Sequence, residues 1–555
     1  MNTESLRDGL RILPAGDRAL LKLMIGCALV ALGVGVVFGL WTALARAAIT
    51  GVEVETGYRA MTAHGVSVFF YWLYFGLAAV LLALTAVSAG PMRGIAWAPV
   101  AWIGSLAMVA GFLANQLGTW TGTPLLYDGS PEIAVEAPVA AGIFFLGYLL
   151  LAGGLFLIAC SAIATAIAGK AASAEKAWSP ITFGAVAFAG FIIVSAIATM
   201  NAFLRECLWG FGFGVMPTDH ATAWHLLFHN MHYLPLMGTV LIWYALVREM
   251  TGVGSIFGDR FSKIIFTLYL VFVPPTSLYH MFLEPDLSPL VRALGSVLSL
   301  FISVPTIAVF LVIVASLEAH ARARGARGLF GWLRMLPWRE PEMSAIGMAV
   351  VNLAFGGTLA FVLIQEKLAG LLSDTFFVPG YFHFLTIGTV SLTLLAALAR
   401  MVPALTGRPL WAPRMVLALP YLVTAGIAVF GAAGTAAGLM GMPRRVLDSA
   451  YDGAAPAIWA AASSAIGLGA VVMAIGLLAY VAALGWSLMR SSTETVSLSV
   501  EPGTLVAPGG LVAQQPAWTG PISVLVLVAA MYGMTIVAFT LLRALPIVIS
   551  GGGGH

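Results

Sequence analysis

Long apolar runs follow one another along this chain, each broken only by a short charged stretch. A helix needs about 20 residues to cross the hydrocarbon of a bilayer, and it can do so because it satisfies its backbone groups internally. Runs of that length recur about thirteen times, at 20–47, 60–88, 95–116, 137–169, 179–203, 220–248, 262–284, 289–318, 343–365, 378–400, 412–440, 456–489 and 519–545. They predict an all-α, polytopic integral membrane protein. We expect one transmembrane unit over 1–555, with a cytoplasmic segment at 1–19 and a flexible tail at 546–555. Composition excludes the main alternative: 60% of the 555 residues are hydrophobic and 9% charged, against about 25% charged in a soluble domain. A net charge of +3 argues against a nucleic-acid partner and leaves membrane lipid as the surroundings. Apart from a Pro/Gly-rich stretch at 502–519, no linker or internal repeat stands out.

Basic residues set the expected orientation. Arg7, Arg11, Arg18 and Lys22 precede the first run without a small-residue cleavage pattern, which predicts a retained first span. Stretches holding Lys170 and Lys176, then Arg248, Arg260 and Lys263, then Arg322 to Arg339, then Arg400, Arg408 and Arg414 alternate with stretches richer in Asp and Glu. The N-terminus and the basic stretches are therefore expected in the cytoplasm. Cys27, Cys160 and Cys207 form no CxxC or CxxCH, so a covalently attached haem or thiolate-bound copper would have to sit on another chain.

Four of the nine histidines fall between His220 and His232, at the start of an apolar run. His225, His229 and His232 are spaced i, i+4 and i+7, which puts three imidazoles on one stripe of one helix. Ionisable side chains are costly in a span and tend to face a site, so the stripe reads as a metal or cofactor centre. The plainer reading is interfacial histidines bonded to neighbouring helices. His64 starts the second run, with Gly65 beside it to admit a flat ring. His280 lies near the end of the seventh run and His383 at the start of the tenth. The alternation of loops puts these sites in the outer half of the membrane, with Arg444 and Arg445, a pair able to clamp carboxylates such as haem propionates.

These motifs together resemble subunit I of the haem–copper oxidase superfamily, most nearly its B-type terminal oxidases. The resemblance covers nearly the whole chain. It rests on Thr-Ala-His64-Gly, on His229 with Tyr233 four residues on, on Tyr279-His280, on the stretch 316–332, on Val-Pro-Gly-Tyr-Phe-His at 378–383, and on Met-Pro-Arg-Arg at 442–445. It implies a subunit I-like bundle in a bacterial-type inner (plasma) membrane, N-terminus cytoplasmic. It further implies a respiratory oxidoreductase with a low-spin haem b, a second haem and a copper ion. Electrons would come from a cytochrome c-type donor through a copper-bearing or cytochrome-bearing second subunit on the outer face. Residue by residue, His64 and His383 match the axial ligands of the low-spin haem, and Arg444 and Arg445 match the propionate-binding pair. His229 and His280 match two copper ligands. Tyr233 matches the tyrosine that is joined to a copper-ligating histidine and supplies an electron and a proton to oxygen.

Two positions depart from the family. Tyr381 replaces the imidazole of the high-spin haem, two residues before His383 and so about 200° round the helix from it. Either Tyr381 ligates iron as a phenolate, or no haem sits there. Tyr279 replaces one copper ligand; by geometry alone, His225 or His232 could supply the missing imidazole. Three readings stay open: an oxygen-reducing oxidase with an altered centre, an electron-transfer relative with that centre rebuilt or lost, and a nitric oxide reductase. The last calls for a glutamate beside the metal, and the histidine helix has only Asp219 and Glu249, both at its ends. A transporter would have to produce these motifs by chance. Ser296, Ser299, Ser303 and Thr306 form a polar stripe suited to carrying protons or to helix packing, and it ends at Val309 where the resemblance leads one to expect a hydroxyl. Glu318, Glu366 and Lys367 read as interfacial.

Overall fold

The computed structural model describes residues 5–90, 93–174, 177–218, 220–273, 288–301, 303–363 and 366–490. A short helix α1 (Leu6–Arg11) is capped by Ser5, whose Oγ accepts from Asp8 N at 3.1 Å. The membrane helices follow: α2 (Ala15–Arg46), α3 (Val54–Gly65), α4 (Leu73–Ala89), α5 (Ala98–Thr121), α6 (Pro138–Ala171), α7 (Pro180–Gly210) and α8 (His220–Thr251). Then come α9 (Asp259–Phe272), α10 (Pro289–Phe301), α11 (Ser303–Ala323), α12 (Pro341–Leu363), the short α13 (Glu366–Leu372) and α14 (Phe377–His383), followed by α15 (Leu392–Thr406), α16 (Pro413–Leu439) and α17 (Ala457–Met489). Two π-helical segments, Val66–Trp72 and Phe384–Ser391, join α3 to α4 and α14 to α15 without a break. Several helices open on proline, whose missing N–H costs nothing in the first turn.

The bundle is all-α and polytopic. Among the described residues, ten helices have the length and apolarity to cross a membrane. Each of the first twelve expected runs contains helix, although the seventh is described only to Val273 and the eighth is divided between α10 and α11. The thirteenth run, at 519–545, and the tail lie outside the described residues.

Small residues let the helices close up. A Cβ on Gly104 of α5 would lie 2.7 Å from the Gly154 carbonyl oxygen, and one on Gly154 of α6 would lie 2.4 Å from that of Gly104, so the two backbones cross in direct contact. Pro235 interrupts α8 and leaves the Met231 carbonyl, four residues earlier, without its helical N–H. The Tyr74 hydroxyl of α4 donates to that oxygen at 2.7 Å, which locks the histidine helix to α4.

The charge count along the sequence needs one correction. Arg400 and Lys263 are not solvated loop cations: Lys263 is buried, and Arg400 is held between two carboxylates. Its Nη2 lies 2.8 Å from Glu249 and its Nη1 3.6 Å from Glu342, a contact that ties the ends of α8, α12 and α15 together. Their apolar surroundings demand a partner for each charge, which loop composition does not reveal. Glu318 pairs with Arg322 at 2.6 Å near the end of α11.

Candidate functional site

A cavity opens between α2, the two π segments, α16 and α17. His64 and His383 both line it. Each stands at the join between an α-helix and a π segment, at the second-to-last residue of α3 and the last of α14. Such π turns re-aim side chains and recur at functional sites. The segments are tied together at their far ends, where Trp72 Nε1 donates to Ser391 Oγ at 2.9 Å.

The imidazoles share one hydrogen-bonding pattern. His64 Nδ1 is 2.8 Å from the Gly35 carbonyl oxygen, and His383 Nδ1 is 2.7 Å from that of Pro379. A carbonyl oxygen can only accept, so each Nδ1 carries the proton and each Nε2 is left with its lone pair. This arrangement fixes the tautomer and ring plane of a metal-ligating histidine. Gly39, one turn beyond Gly35 on α2, makes room for the His64 ring: a Cβ there would fall 2.4 Å from Nδ1. Gly65 also admits a flat ring, but the ring packed against it is that of Tyr127, 3.0 Å from where a Cβ would stand. Phe430 lies against His383, with ring centroids 4.3 Å apart.

Arg444 and Arg445 line the same cavity. Their loop is held against the start of α14 by a single antiparallel bridge, Thr375 to Pro443, in which Phe376 N donates to Met442 O at 2.7 Å and Arg444 N to Asp374 O at 3.0 Å. Arg46, the last residue of α2, pins it from the other side by donating to the carbonyls of Pro443 and Val446. The Arg46 guanidinium lies 4.7 Å from the Phe376 ring centroid. Arg444 pairs with Asp374 at 3.1 Å and Arg445 with Asp128 at 2.7 Å. Arg445 Nη2 also donates to the Tyr127 hydroxyl. Burial works against the charge on Arg445, yet Tyr127 and Asp128 beside it raise its pKa above the ordinary arginine value. Nε of Arg46, Arg444 and Arg445 is buried without a partner among the described residues. Three guanidiniums against two carboxylates leave the wall one positive charge in excess, with donors unspent. That suits an anionic ligand.

The other expected site residues lie elsewhere. Tyr381 is not among the cavity-lining residues; it is buried with Leu363, Leu372 and Phe377, within electrostatic reach of Arg444, Tyr127 and Tyr233. His232 packs edge-on between Phe69 and Phe382, at centroid distances of 5.2 and 4.6 Å. Both phenylalanines line the cavity, so His232 forms its outer layer. Tyr233 is half-buried against the main core. Tyr279 and His280 lie outside the described residues, as do the side chains of His225 and His229. Among the described residues, no three His, Cys, Asp or Glu side chains converge in a metal-binding group. On the polar stripe, the Thr306 Oγ1 lies 3.3 Å from the buried Tyr269 hydroxyl, a partner the stripe itself did not reveal. The side chains of Ser296, Ser299, Ser303, Glu366 and Lys367 are outside the described residues.

Among the described residues, two imidazoles with unshared Nε2 atoms and a cationic rim meet in one cavity of an apolar bundle. The family described as Cytochrome C and Quinol oxidase polypeptide I matches residues 19–467, and the chain belongs to that family. It is 28% identical over 463 residues to cytochrome c oxidase subunit 1 of Thermus thermophilus, covering 81% of this chain and 79% of that protein. It is 23% identical over 389 residues to a probable cytochrome c oxidase subunit 1-beta of Nocardia farcinica, covering 66% and 61%. The fold matches that of a haem–copper terminal oxidase dimer solved by cryo-EM, with a TM-score of 0.80 at 22% identity over 93% of this chain and 92% of the other. Family membership carries a general role as a respiratory oxidoreductase, with haem and copper as the cofactors typical of the superfamily.

Proposed function

We propose that this chain is the haem-bearing core subunit of a respiratory membrane oxidoreductase, and that His64 and His383 would hold a low-spin haem b. The carrying observation is the pair of imidazoles in one cavity, each with Nδ1 committed to a carbonyl. A bound haem supplies a one-electron iron couple there. The chain does the rest. Gly35 and Pro379 orient the ligands, and Arg444 and Arg445 receive the acid groups. Arg46 holds their loop in place. Phe69, Phe382 and Phe430 keep the surroundings apolar, and in such surroundings the fixed charges of the rim act strongly on the site.

In this reading the protein spans an inner (plasma) membrane with its N-terminus in the cytoplasm. It takes electrons from a cytochrome c-type donor through a copper-bearing or cytochrome-bearing partner on the outer face. A modified second centre around Tyr233, Tyr381, His225, His229, His232 and His280 is where oxygen would be reduced. The burial of Tyr381 against Leu363, Leu372 and Phe377 favours a second reading, in which that centre has been rebuilt and the subunit serves electron transfer.

Haem and metal stoichiometry of the purified protein, with a reduced-minus-oxidised spectrum under carbon monoxide, separates the two. Two haems per chain, one of them shifted by carbon monoxide, establish a working second centre. One haem, no copper and no carbon monoxide shift leave the electron-transfer reading.

A further inference from the structure

A second cavity lies where the end of α11 and the start of α12 meet the stretch that connects them, 324–340. Val314 and Leu317 line it from α11, Trp332 and Trp338 from the connection, and Met343 and Val351 from α12. It shares no residue with the cavity of His64 and His383. Its wall is set by close packing of the connection on α12. A Cβ on Gly347 would fall 2.6 Å from the Trp338 ring, so the indole lies directly on the α12 backbone. Trp338 Nε1 donates to the Leu333 carbonyl at 2.5 Å, which spends the only donor of that side chain. Among the described residues that line the cavity, Arg334 alone is charged, and the rest of the wall is apolar.

The surroundings are those of a membrane boundary. Both α11 and α12 contain a run long and apolar enough to span a bilayer. Val351 lines the cavity and is 40% exposed, and Phe355, one turn further along α12, is 61% exposed, so the cavity opens onto an apolar helix face. On the connection, Leu329 and Phe330 are 75% and 69% exposed. Exposed apolar side chains interleaved with tryptophan and arginine are the pattern of a segment lying in the headgroup layer.

Charge selects the occupant. Arg322, Arg324, Arg327, Arg334 and Arg339 stand against Glu318 and Glu340 over 318–340. Glu318 is spent on Arg322, and Arg324 rests on His320. Arg327, Arg334 and Arg339 have no carboxylate within ion-pair distance among the described residues.

We propose that this cavity binds one anionic diacyl phospholipid, with an acyl chain between α11 and α12 and the phosphate on the Arg334 guanidinium. Guanidinium meets phosphate with paired N–H donors. The apolar wall suits a methylene chain, which loses water on entering it. Basic pockets between membrane helices take lipid headgroups for these reasons. A zwitterionic headgroup fits less well, because it brings its own cation to a place that already holds three guanidiniums without a carboxylate. Free phosphate would leave the apolar space unfilled. Nothing in the site depends on a haem.

Native mass spectrometry tests this on the purified, delipidated full chain, titrated in detergent with dioleoylphosphatidylglycerol, dioleoylphosphatidylcholine or inorganic phosphate. One phosphatidylglycerol per chain should be retained more tightly than phosphatidylcholine. Arg334→Gln should weaken its retention about fivefold, and Val351→Trp, which fills the mouth of the cavity, should abolish it. Both substitutions fall on exposed positions, and an unchanged melting temperature in lipid-free detergent confirms that each variant is folded. Equal retention of the two lipids overturns the proposal, as does retention unchanged in either variant. Displacement of the lipid by inorganic phosphate makes this an anion site without a chain and overturns it too. A lipid-free dimer that Val351→Trp breaks would give the cavity to a second copy of the chain and overturn it likewise.

Discussion

His64→Ala should abolish the low-spin haem spectrum of the membrane-inserted protein. His64 is one of the two imidazoles among the cavity-lining side chains, so its loss leaves a single histidine there. Alanine removes the proposed ligand and enlarges the cavity, so a bound haem would lose one of its two imidazoles. Loss of an outer-shell partner to a metal ligand typically costs about 10–100-fold in affinity, and loss of the ligand itself should cost more. The reduced-minus-oxidised spectrum of the variant, normalised to protein, checks this. A wild-type low-spin band in His64→Ala would show that the ligand assignment is wrong.

The second large effect should come from a residue that offers no ligand atom. Gly39→Ala would place a Cβ 2.4 Å from Nδ1 and 2.6 Å from Cε1 of His64. Carbon and nitrogen cannot approach so closely, so the ring must turn and give up its bond to the Gly35 carbonyl. The expected outcome is a folded protein whose haem binding is weakened about 10–100-fold. Gly33→Ala is the matched control on the same helix, since a Cβ there meets only Val481, at 3.7 Å. Equal haem content in the two variants would mean that the Gly35–Gly39 cradle does not hold the ligand.

The sequence shows the parts of this site that travel as local motifs. His64, His383 and the Arg444–Arg445 pair can be picked out because each sits in a short, recognisable string, and the structure brings all four to one cavity. The supporting parts come from distant segments and carry no local mark. Gly35 and Gly39 are two of many glycines in an apolar helix, and only the fold shows them against His64. Arg46, at the end of a long apolar run, carries no mark in the sequence of the loop at 443–446 that hangs from it. The π segments cannot be read from stretches so uniformly apolar that no helical period is visible. Among the histidines, the i, i+4, i+7 stripe drew attention to His225, His229 and His232. His220 lies off that stripe, and its partners, Glu206 and Asp128, are both remote in sequence.

A haem iron held by the two imidazoles of His64 and His383 is read by electron paramagnetic resonance of the oxidised wild-type protein, together with its haem content. At least one haem per chain and a low-spin ferric signal typical of two histidine ligands are expected. A haem-free protein, or a low-spin signal with any other axial pair, would contradict that ligation.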